Sequence, residues 1–409
     1  MNTGKAIAMN MDEAATKSEL RTKLLNFVSW LDHYGETSYD HQSYFAGPLG
    51  RHAKALYYKR PILGTLAVAP MIFSEAFLPS GRKLFWKRQR FPIADAHYAM
   101  GFAFLAGALQ ADQFYRRAVH FLESLLETRC EKYDDYCWGY PFNWETRHGV
   151  LSAGTPLITT VPYAYEAFLQ LYQIDGDRRW LEIMRSIAHH AFQDYPEIST
   201  SSDASSCSYI PDPLGPFCVI NASAYRSFLL MRAAIDFSEP QFEKAAMRNL
   251  AFVLESQNAD GSWYYSTDGA RDFVDHFHTC FVLKALAKIE ALTQNKACTQ
   301  AIERGVEYYT KNLFDDEGLP KPFSRRPRMT VYRRELYDYA ECINIAVLLK
   351  GRFPELDNIA ARLIHLDGWL KQDGSFRSRQ LLLGWDNVPM HRWAQAQMFR
   401  SLCFFLSQG

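Results

Sequence analysis

The chain has 409 residues, and its 45 basic side chains are matched by 45 acidic ones, which excludes the whole-protein field that draws a chain to nucleic acid. Hydrophobic residues make up 48% and aromatic residues 15%, enough for a large core with rings left over to line a cleft. The N-terminal stretch MNTGKAIAMNMDEAATKSELRTK lacks the apolar run of a secretory signal, so a cytoplasmic protein is expected. Its eight cysteines (130, 137, 207, 218, 280, 298, 342 and 403) include no CxxC pair. Most lie in apolar helical text and read as buried free thiols, with Cys130 and Cys137 the one pair spaced for a bridge.

In chain order, residues 1–17 read as a loose extension and Ser18–Tyr34 as a helix. An elaborated loop region occupies 35–93. Within it, PILGTLAVAPMIFSEAFLP (61–79) lies between the basic stretches KALYYKR and GRKLFWKRQR. Three prolines and Glu75 argue against a membrane-spanning helix there. Packing of an enlarged first loop on the rest of the fold is the simpler expectation. An apolar hairpin with basic flanks at 51–90 would also suit peripheral contact with the inner face of an anionic membrane.

Beyond residue 93 two kinds of helical segment alternate. Ala94–Leu109, Thr160–Tyr172, Asn221–Ile235, Asp275–Leu292, Tyr337–Leu349 and Met390–Leu406 are apolar or small nearly all round, as helices buried on every side are. Asp112–Glu127, Asp177–Tyr195, Pro240–Gln257, Lys296–Leu313 and Pro354–Leu370 are amphipathic. In Asp177–Tyr195 the apolar stripe is Trp180, Ile183, Met184, Ile187 and Ala191, a helical period with charges between. The pair recurs about every 60 residues, a repeat signature. Ser18–Tyr34 supplies the sixth amphipathic helix. The predicted fold is therefore all-α: one (α/α)6 toroid domain over 1–409, six helical hairpins in inner and outer rings. Inner-to-outer turns are short and the returning connections long, so the long loops gather above the N-termini of the inner helices. Function concentrates on such loops, and six positive helix ends converge there.

Three of these loops open with a related turn: Gln257-Asn-Ala-Asp-Gly-Ser-Trp263, Gln372-Asp-Gly-Ser-Phe376 and a degenerate Asp315-Asp-Glu-Gly318. The first two resemble the Gln/Trp repeat of terpene-cyclase and prenyltransferase toroids, where Gln and Trp tie neighbouring helices together. CWGYPFNWETR (137–147), AGTP (153–156), SWYY with DFVDHFHTCFVLKAL (262–286) and MHRWAQAQMF (390–399) are similar to squalene-cyclase-like and six-hairpin-glycosidase-like toroids of bacterial exopolysaccharide and O-antigen gene clusters. That resemblance implies the toroid and a setting in polysaccharide biosynthesis more than a reaction. The DxDD and DDxxD motifs of terpene chemistry are absent, Asp134-Asp135 being followed by Tyr-Cys-Trp. The Cys/His zinc sets of prenyltransferases and lanthionine cyclases are absent too. No metal and no cofactor is expected.

Loop 133–156 is the richest in chemistry. Trp138, Tyr140, Phe142 and Trp144 alternate with polar residues, and Asp135, Glu145 and Arg147 lie nearby. Flat rings stack on the C–H faces of sugars, while carboxylates and arginines grip hydroxyl or uronate groups. Asp272, Asp275, His276 and His278 open the fourth inner helix. One aspartate there serves as N-cap, and Asp275 or His276 is a candidate acid or base. Asp338 and Glu341 form an i, i+3 carboxylate pair in the fifth inner helix. A glycosidase needs two carboxyl groups across the scissile bond, and Glu145, Asp275, Asp338 and Glu341 are the candidates. Arg377, Trp385, Arg392 and Trp393 gather near the last inner helix and, with Arg147 and Arg271, suit an anionic sugar. Trp263, Tyr265 and His278 complete the candidate binding set, and Tyr264, Tyr265 and His276 are the candidate bases if the substrate is a uronate.

The reading that follows is a glycan-modifying enzyme, first a glycoside hydrolase with paired carboxylates, otherwise a uronate lyase or C5-epimerase with a Tyr or His base. Its partner would be an oligo- or polysaccharide, lipid-linked if 51–90 touches membrane. A non-catalytic saccharide-binding or assembly toroid is the alternative from another class, with a terpene-cyclase-like protein behind both.

Overall fold

The computed structural model describes residues 2–213, 218–327 and 330–408, with side chains from residue 15 onward. Helix α1 (Asn2–Tyr34) is followed by α2 (Ser43–Ala46), α3 (Pro48–Lys59) and α4 (Pro61–Phe77). Inner and outer helices then alternate: α5 (Pro92–Leu109), α6 (Asp112–Glu127), α7 (Val161–Asp175), α8 (Arg178–Gln193), α9 (Ile220–Phe237), α10 (Pro240–Glu255), α11 (His276–Thr293), α12 (Lys296–Asn312), α13 (Leu336–Leu348), α14 (Pro354–Leu363) and α15 (Ala396–Ser407). Each inner helix packs on the next around the ring, α15 returns to α5, and α1 packs on α15 as its outer partner. The architecture is an (α/α)6 toroid, as the alternation of helix types predicts. The helix predicted from Ser18 runs continuously from Asn2, through the stretch expected to be a loose extension. The outer helix predicted to Leu370 stops at Leu363, and Leu366 takes a left-handed φ of 59° three residues on.

Burial explains both helix types. In α8 Trp180, Ile183, Met184, Ile187 and Ala191 are all buried, while in α9 and α13 nearly every position is. Removing a Leu, Ile or Phe side chain from water stabilises by about 1.5–3 kcal/mol, so an inner helix that buries a dozen side chains is held by its neighbours. Four inner helices end in a left-handed residue, Gln110, Gly176, Ser238 and Gln294, and the next residue already leads the outer helix. The returning connections carry the strands: β1 (Trp144–Thr146) with β2 (Gly149–Leu151), β3 (Glu197–Ser199) with β4 (Ser205–Cys207), β5 (Val274–Asp275) with β6 (Phe323–Arg325), and β7 (Tyr332–Glu335), β8 (Arg379–Leu381) and β9 (Trp385–Asp386) in one sheet. Pairs β5–β6 and β7–β8 join loops of neighbouring hairpins, which stiffens the face that carries them.

The repeated turns tie one outer helix to the next. Gln257 Nε2 donates to Gly261 O (3.0 Å) and across to Ala301 O of α12 (2.9 Å), and Trp263 Nε1 donates to Val253 O (2.9 Å). Gly261 has φ +91°, and a Cβ there would sit 2.3 Å from Arg304 O. Gly374, at φ +89°, presses in the same way on Asn26 O of α1. Cys130 and Cys137 are joined by a backbone hydrogen bond of 2.8 Å and remain free thiols, as do the other six cysteines.

Candidate active site

A cavity of about 60 Å³ opens at the N-terminal ends of the inner helices, where the long loops gather. Tyrosines from four of its sides enter it: Tyr140 from loop 133–156, Tyr163 from α7, Tyr225 from α9 and Tyr337 from α13. Phe277 and Phe281 of α11 and Trp393 complete the aromatic wall, with Trp393 edge-on to Tyr337 at 5.0 Å. Trp393 and Arg392 stand on a π turn ahead of α15, closed by Gln395 N–H donating to Met390 O (3.0 Å). Single π turns of this kind recur at functional sites because they re-aim side chains. The Arg392 guanidinium is gripped at both ends by Asp40 (2.9 and 2.6 Å) and lies 4.4 Å over the Tyr140 ring.

At the edge of the cavity Asp275 and His278 form a dyad. Asp275 caps α11: its Oδ1 accepts the His278 backbone N–H (2.9 Å) and its Oδ2 the ring Nδ1–H (2.6 Å). That bond fixes the tautomer and leaves the lone pair on Nε2 as the basic atom of the ring. Tyr265 stands edge-on to His278 at 4.7 Å, and burial pushes its phenol up to about 12. Deeper in, Lys284 Nζ donates to Tyr163 Oη (3.1 Å), which is 2.6 Å from Tyr225 Oη. The bond between the two phenols can run either way, and where Tyr163 donates to Tyr225 the Tyr225 hydroxyl is left to donate onward. Burial lowers Lys284 to about 8, against the pull of Glu341.

Several buried polar atoms on this wall have no hydrogen-bond partner among the described residues: both amide atoms of Asn221, Nε1 of Trp393 and Oε1 of Gln397. Native proteins rarely leave such atoms unmatched, because each forfeits about 1–3 kcal/mol. These four atoms on one cavity wall are groups that water or a polar ligand can match. A hydrocarbon would match none of them.

None of the four candidate carboxylates, Glu145, Asp275, Asp338 and Glu341, is part of the cavity lining. Glu341 is wholly buried beneath the cavity, ion-paired with Lys284 and, at 3.5 Å, with Arg400. Asp338 is wholly buried with neither oxygen hydrogen-bonded among the described residues, and burial, reinforced by Glu335 and Asp275, pushes its carboxyl well above the usual carboxylate range. Glu145 sits half-buried on β1 and outside the cavity lining. His276 points away from the mouth: its Nδ1 faces the Leu313 and Lys321 carbonyls (3.2 and 3.3 Å) and its Nε2 accepts from Tyr309 Oη (2.6 Å). It anchors a loop, and burial drops it to about 3.

Of the expected binding residues, Tyr140, His278, Arg392 and Trp393 line the cavity, with Tyr265 packed behind His278. Trp138 and Trp263 are buried and use their indole N–H to anchor loops, Trp138 on Leu125 O at 2.7 Å. Asp135 accepts from Ser186 of α8 (2.7 Å), and Trp144 stands 5.9 Å from Tyr140, outside it. Arg147 is exposed at the β1–β2 turn, and Arg271 is paired with Asp268 (2.6 Å). Arg377 lies 5.0 Å over Trp385, away from the cavity, and Asp272 pairs with Arg325, which covers Tyr264. The anionic-sugar pocket expected from four arginines is thus not formed, because each has another partner or position. Sequence reasoning missed Tyr163, Tyr225, Tyr337, Asn221 and Gln397. The signal was there: amides and hydroxyls inside helices otherwise apolar all round.

No protein-family model matches the chain, and no curated protein matches it. Solved structures do. The chain is similar to cellobiose 2-epimerase from Bacillus thermoamylovorans B4167, with a TM-score of 0.60 and 9% identity over 78% of this chain and 87% of that one. It is similar to a family 76 glycoside hydrolase from a bovine Bacteroides thetaiotaomicron strain (TM-score 0.57, 14% identity, 79% of this chain and 69% of that one). An unsaturated glucuronyl hydrolase specific for heparin gives a TM-score of 0.58 at 12% identity, over 78% and 87%. At these identities the likeness shows the (α/α)6 toroid fold alone.

Proposed function

We propose that this protein is a carbohydrate-modifying enzyme that moves a proton on a sugar, with His278 as the base and Asp275 as the group that orients it. The observation that carries the reading is the conjunction of that dyad with unmatched amide and indole atoms on one aromatic wall. Aromatic faces take the C–H face of a pyranose, and the unmatched atoms take its hydroxyls. Hydrolysis by paired carboxylates is less favoured, since Asp338 and Glu341 lie wholly buried and outside the cavity lining, Glu341 in a salt bridge with Lys284.

The chemistry follows from the groups present. A carbon next to a carbonyl or carboxyl loses its proton to His278 Nε2, and the C–H electrons pass into an enol or enolate. The Tyr225 hydroxyl, polarised through Tyr163 by Lys284, donates to the developing oxyanion. Return of a proton from water to the other face, with the proton on His278 passing to solvent, gives the epimer, and loss of a β-oxygen substituent that takes the proton from His278 gives an unsaturated sugar. The one arginine in the described cavity lining, Arg392, is held by Asp40, so a neutral reducing sugar, opened to its carbonyl form, and epimerisation fit better. At about 60 Å³ the cavity is small for a sugar ring, so binding of one requires the half-buried Tyr140 and Trp393 on its wall to give way. The likeness of 137–147 and 390–399 to toroids of polysaccharide gene clusters supports a cytoplasmic role in making a bacterial surface glycan.

The test is incubation with neutral and uronate oligosaccharides in deuterated water, read by mass spectrometry, sugar analysis and ultraviolet absorbance. Deuterium in substrate and epimer establishes the reading, and its loss in His278→Ala assigns the base. Shortened products without deuterium on carbon would mean hydrolysis. Binding with no exchange would mean a saccharide-binding toroid.

A further inference from the structure

Helix α4 is apolar all round yet lies on the surface. Its inner stripe, Gly64, Val68, Met71 and Glu75, faces α3 and the turn at 79–84, with Val68 and Met71 in a small cluster with Tyr44 and Ala53. Its outer stripe faces solvent at i, i+4, i+11 and i+15: Ile62 is 82% exposed, Leu66 68%, Phe73 59% and Phe77 41%. Leu63, Ile72, Leu78 and Leu84 widen it, and Leu84 is 89% exposed. The β8–β9 turn, with exposed Leu382 and Leu383, is tied to the same helix by the Arg379–Glu75 ion pair and to the turn that follows it by Asp386–Arg82. Soluble proteins rarely leave so continuous a patch open unless something covers it.

The charge around the patch is one-sided. Residues 51–90 hold nine basic side chains and one acidic, in a chain whose total charge balances. That acid, Glu75, is buried between Arg82 and Arg379, so the surface shows only cations, with Lys59, Arg60, Lys83 and Lys87 exposed at its rim. A two-fold contact between copies would set this basic rim against itself. No described helix is long and apolar enough to cross a membrane.

We propose that α4 and its flanks dock this protein on the surface of an anionic lipid bilayer. The apolar stripe enters the acyl boundary, and the lysines and arginines meet anionic headgroups, the two contributions that hold an interfacial helix. The inference does not depend on the chemistry of the cavity. It does bear on access, because α3 packs on β1, where Lys54 lies over Trp144, and Trp144 adjoins Tyr140 of the cavity wall. Docking therefore sets the mouth beside the bilayer, within reach of a lipid-anchored glycan.

The test is co-sedimentation of the full chain with vesicles of phosphatidylcholine alone, or mixed with phosphatidylglycerol. The expected result is binding to the mixed vesicles, weakened by salt. Lys59→Glu, Arg60→Glu, Lys83→Glu and Lys87→Glu should each weaken it about fivefold or more, and Leu66→Asp with Phe73→Asp should abolish it. These side chains are exposed, so the variants should melt as wild type does. The proposal fails if wild type stays in the supernatant with both vesicles, or if the variants sediment equally. It also fails if light scattering shows a dimer that Leu66→Asp with Phe73→Asp splits while vesicles go unbound, since a second copy would then own the patch.

Discussion

Asp275 holds His278 at two points, its backbone N–H at 2.9 Å and its ring Nδ1–H at 2.6 Å, so the residue that starts α11 also aims the imidazole. The two roles separate by substitution. Asp275→Asn keeps a good N-cap and removes the charge behind the ring, so the protein should melt close to wild type while proton exchange on the sugar falls. Asp275→Ala should add about 1 kcal/mol of lost stability. His278→Ala should lower kcat/KM by about 10²–10⁴ with the fold intact. Deuterium exchange and thermal melting decide it. Full activity in both Asp275→Asn and His278→Ala would refute the assignment.

Glu341 is expected to matter for stability before chemistry. It balances Lys284 and Arg400 in a wall between the upper cavity and a second one, of about 400 Å³, at the C-terminal ends of the inner helices. Glu341→Gln strands two buried cations and should cost about 3–5 kcal/mol, read as a lowered denaturant midpoint. Lys284→Met in the same chain should recover part of it, as neighbouring sites couple.

Acid should loosen the outer wall through His276. Its ring is held neutral, at about 3 in the fold against 6.5 when unfolded, because burial penalises the charged form. Between those values the unfolded chain binds the proton and the fold does not. The stability contributed is therefore complete above pH 6.5 and is lost as pH falls toward 3. His391 behaves alike, lowered to about 4 by burial. Together they should remove on the order of several kcal/mol across that window. His276→Asn should flatten the pH dependence of melting below pH 6.5, whatever its effect at neutral pH.

Trp393→Phe tests the unmatched indole N–H. The ring face remains for stacking and the buried donor disappears, so melting should hold or rise slightly. Sugar affinity should fall by roughly tenfold, the worth of one hydrogen bond, seen in KM or by calorimetry. Unchanged affinity would mean that Nε1 meets no substrate atom.

The toroid was legible in the sequence because two periodicities carry it. Segments apolar on every side alternate with segments striped at 3.6 residues, and only a double ring buries both. The turn at 257–263 was legible as a structural tie for the same local reason, since Gly261 must take a left-handed φ where a Cβ would strike Arg304 O. Side-chain direction inside the inner ring was decided by packing. Trp138 and Trp263 look like sugar platforms in the text, yet each turns inward to anchor a loop, whereas Tyr163, Tyr225 and Asn221 look like core and form the cavity wall. Asp338 and Glu341 stand one helical turn apart in sequence, which sets their spacing. Whether they are ionised, paired or protonated depends on Lys284, Arg400 and Arg379, brought from other helices and loops. Period is a property of the chain, but the charge state of a buried group is set by neighbours that only the closed ring supplies.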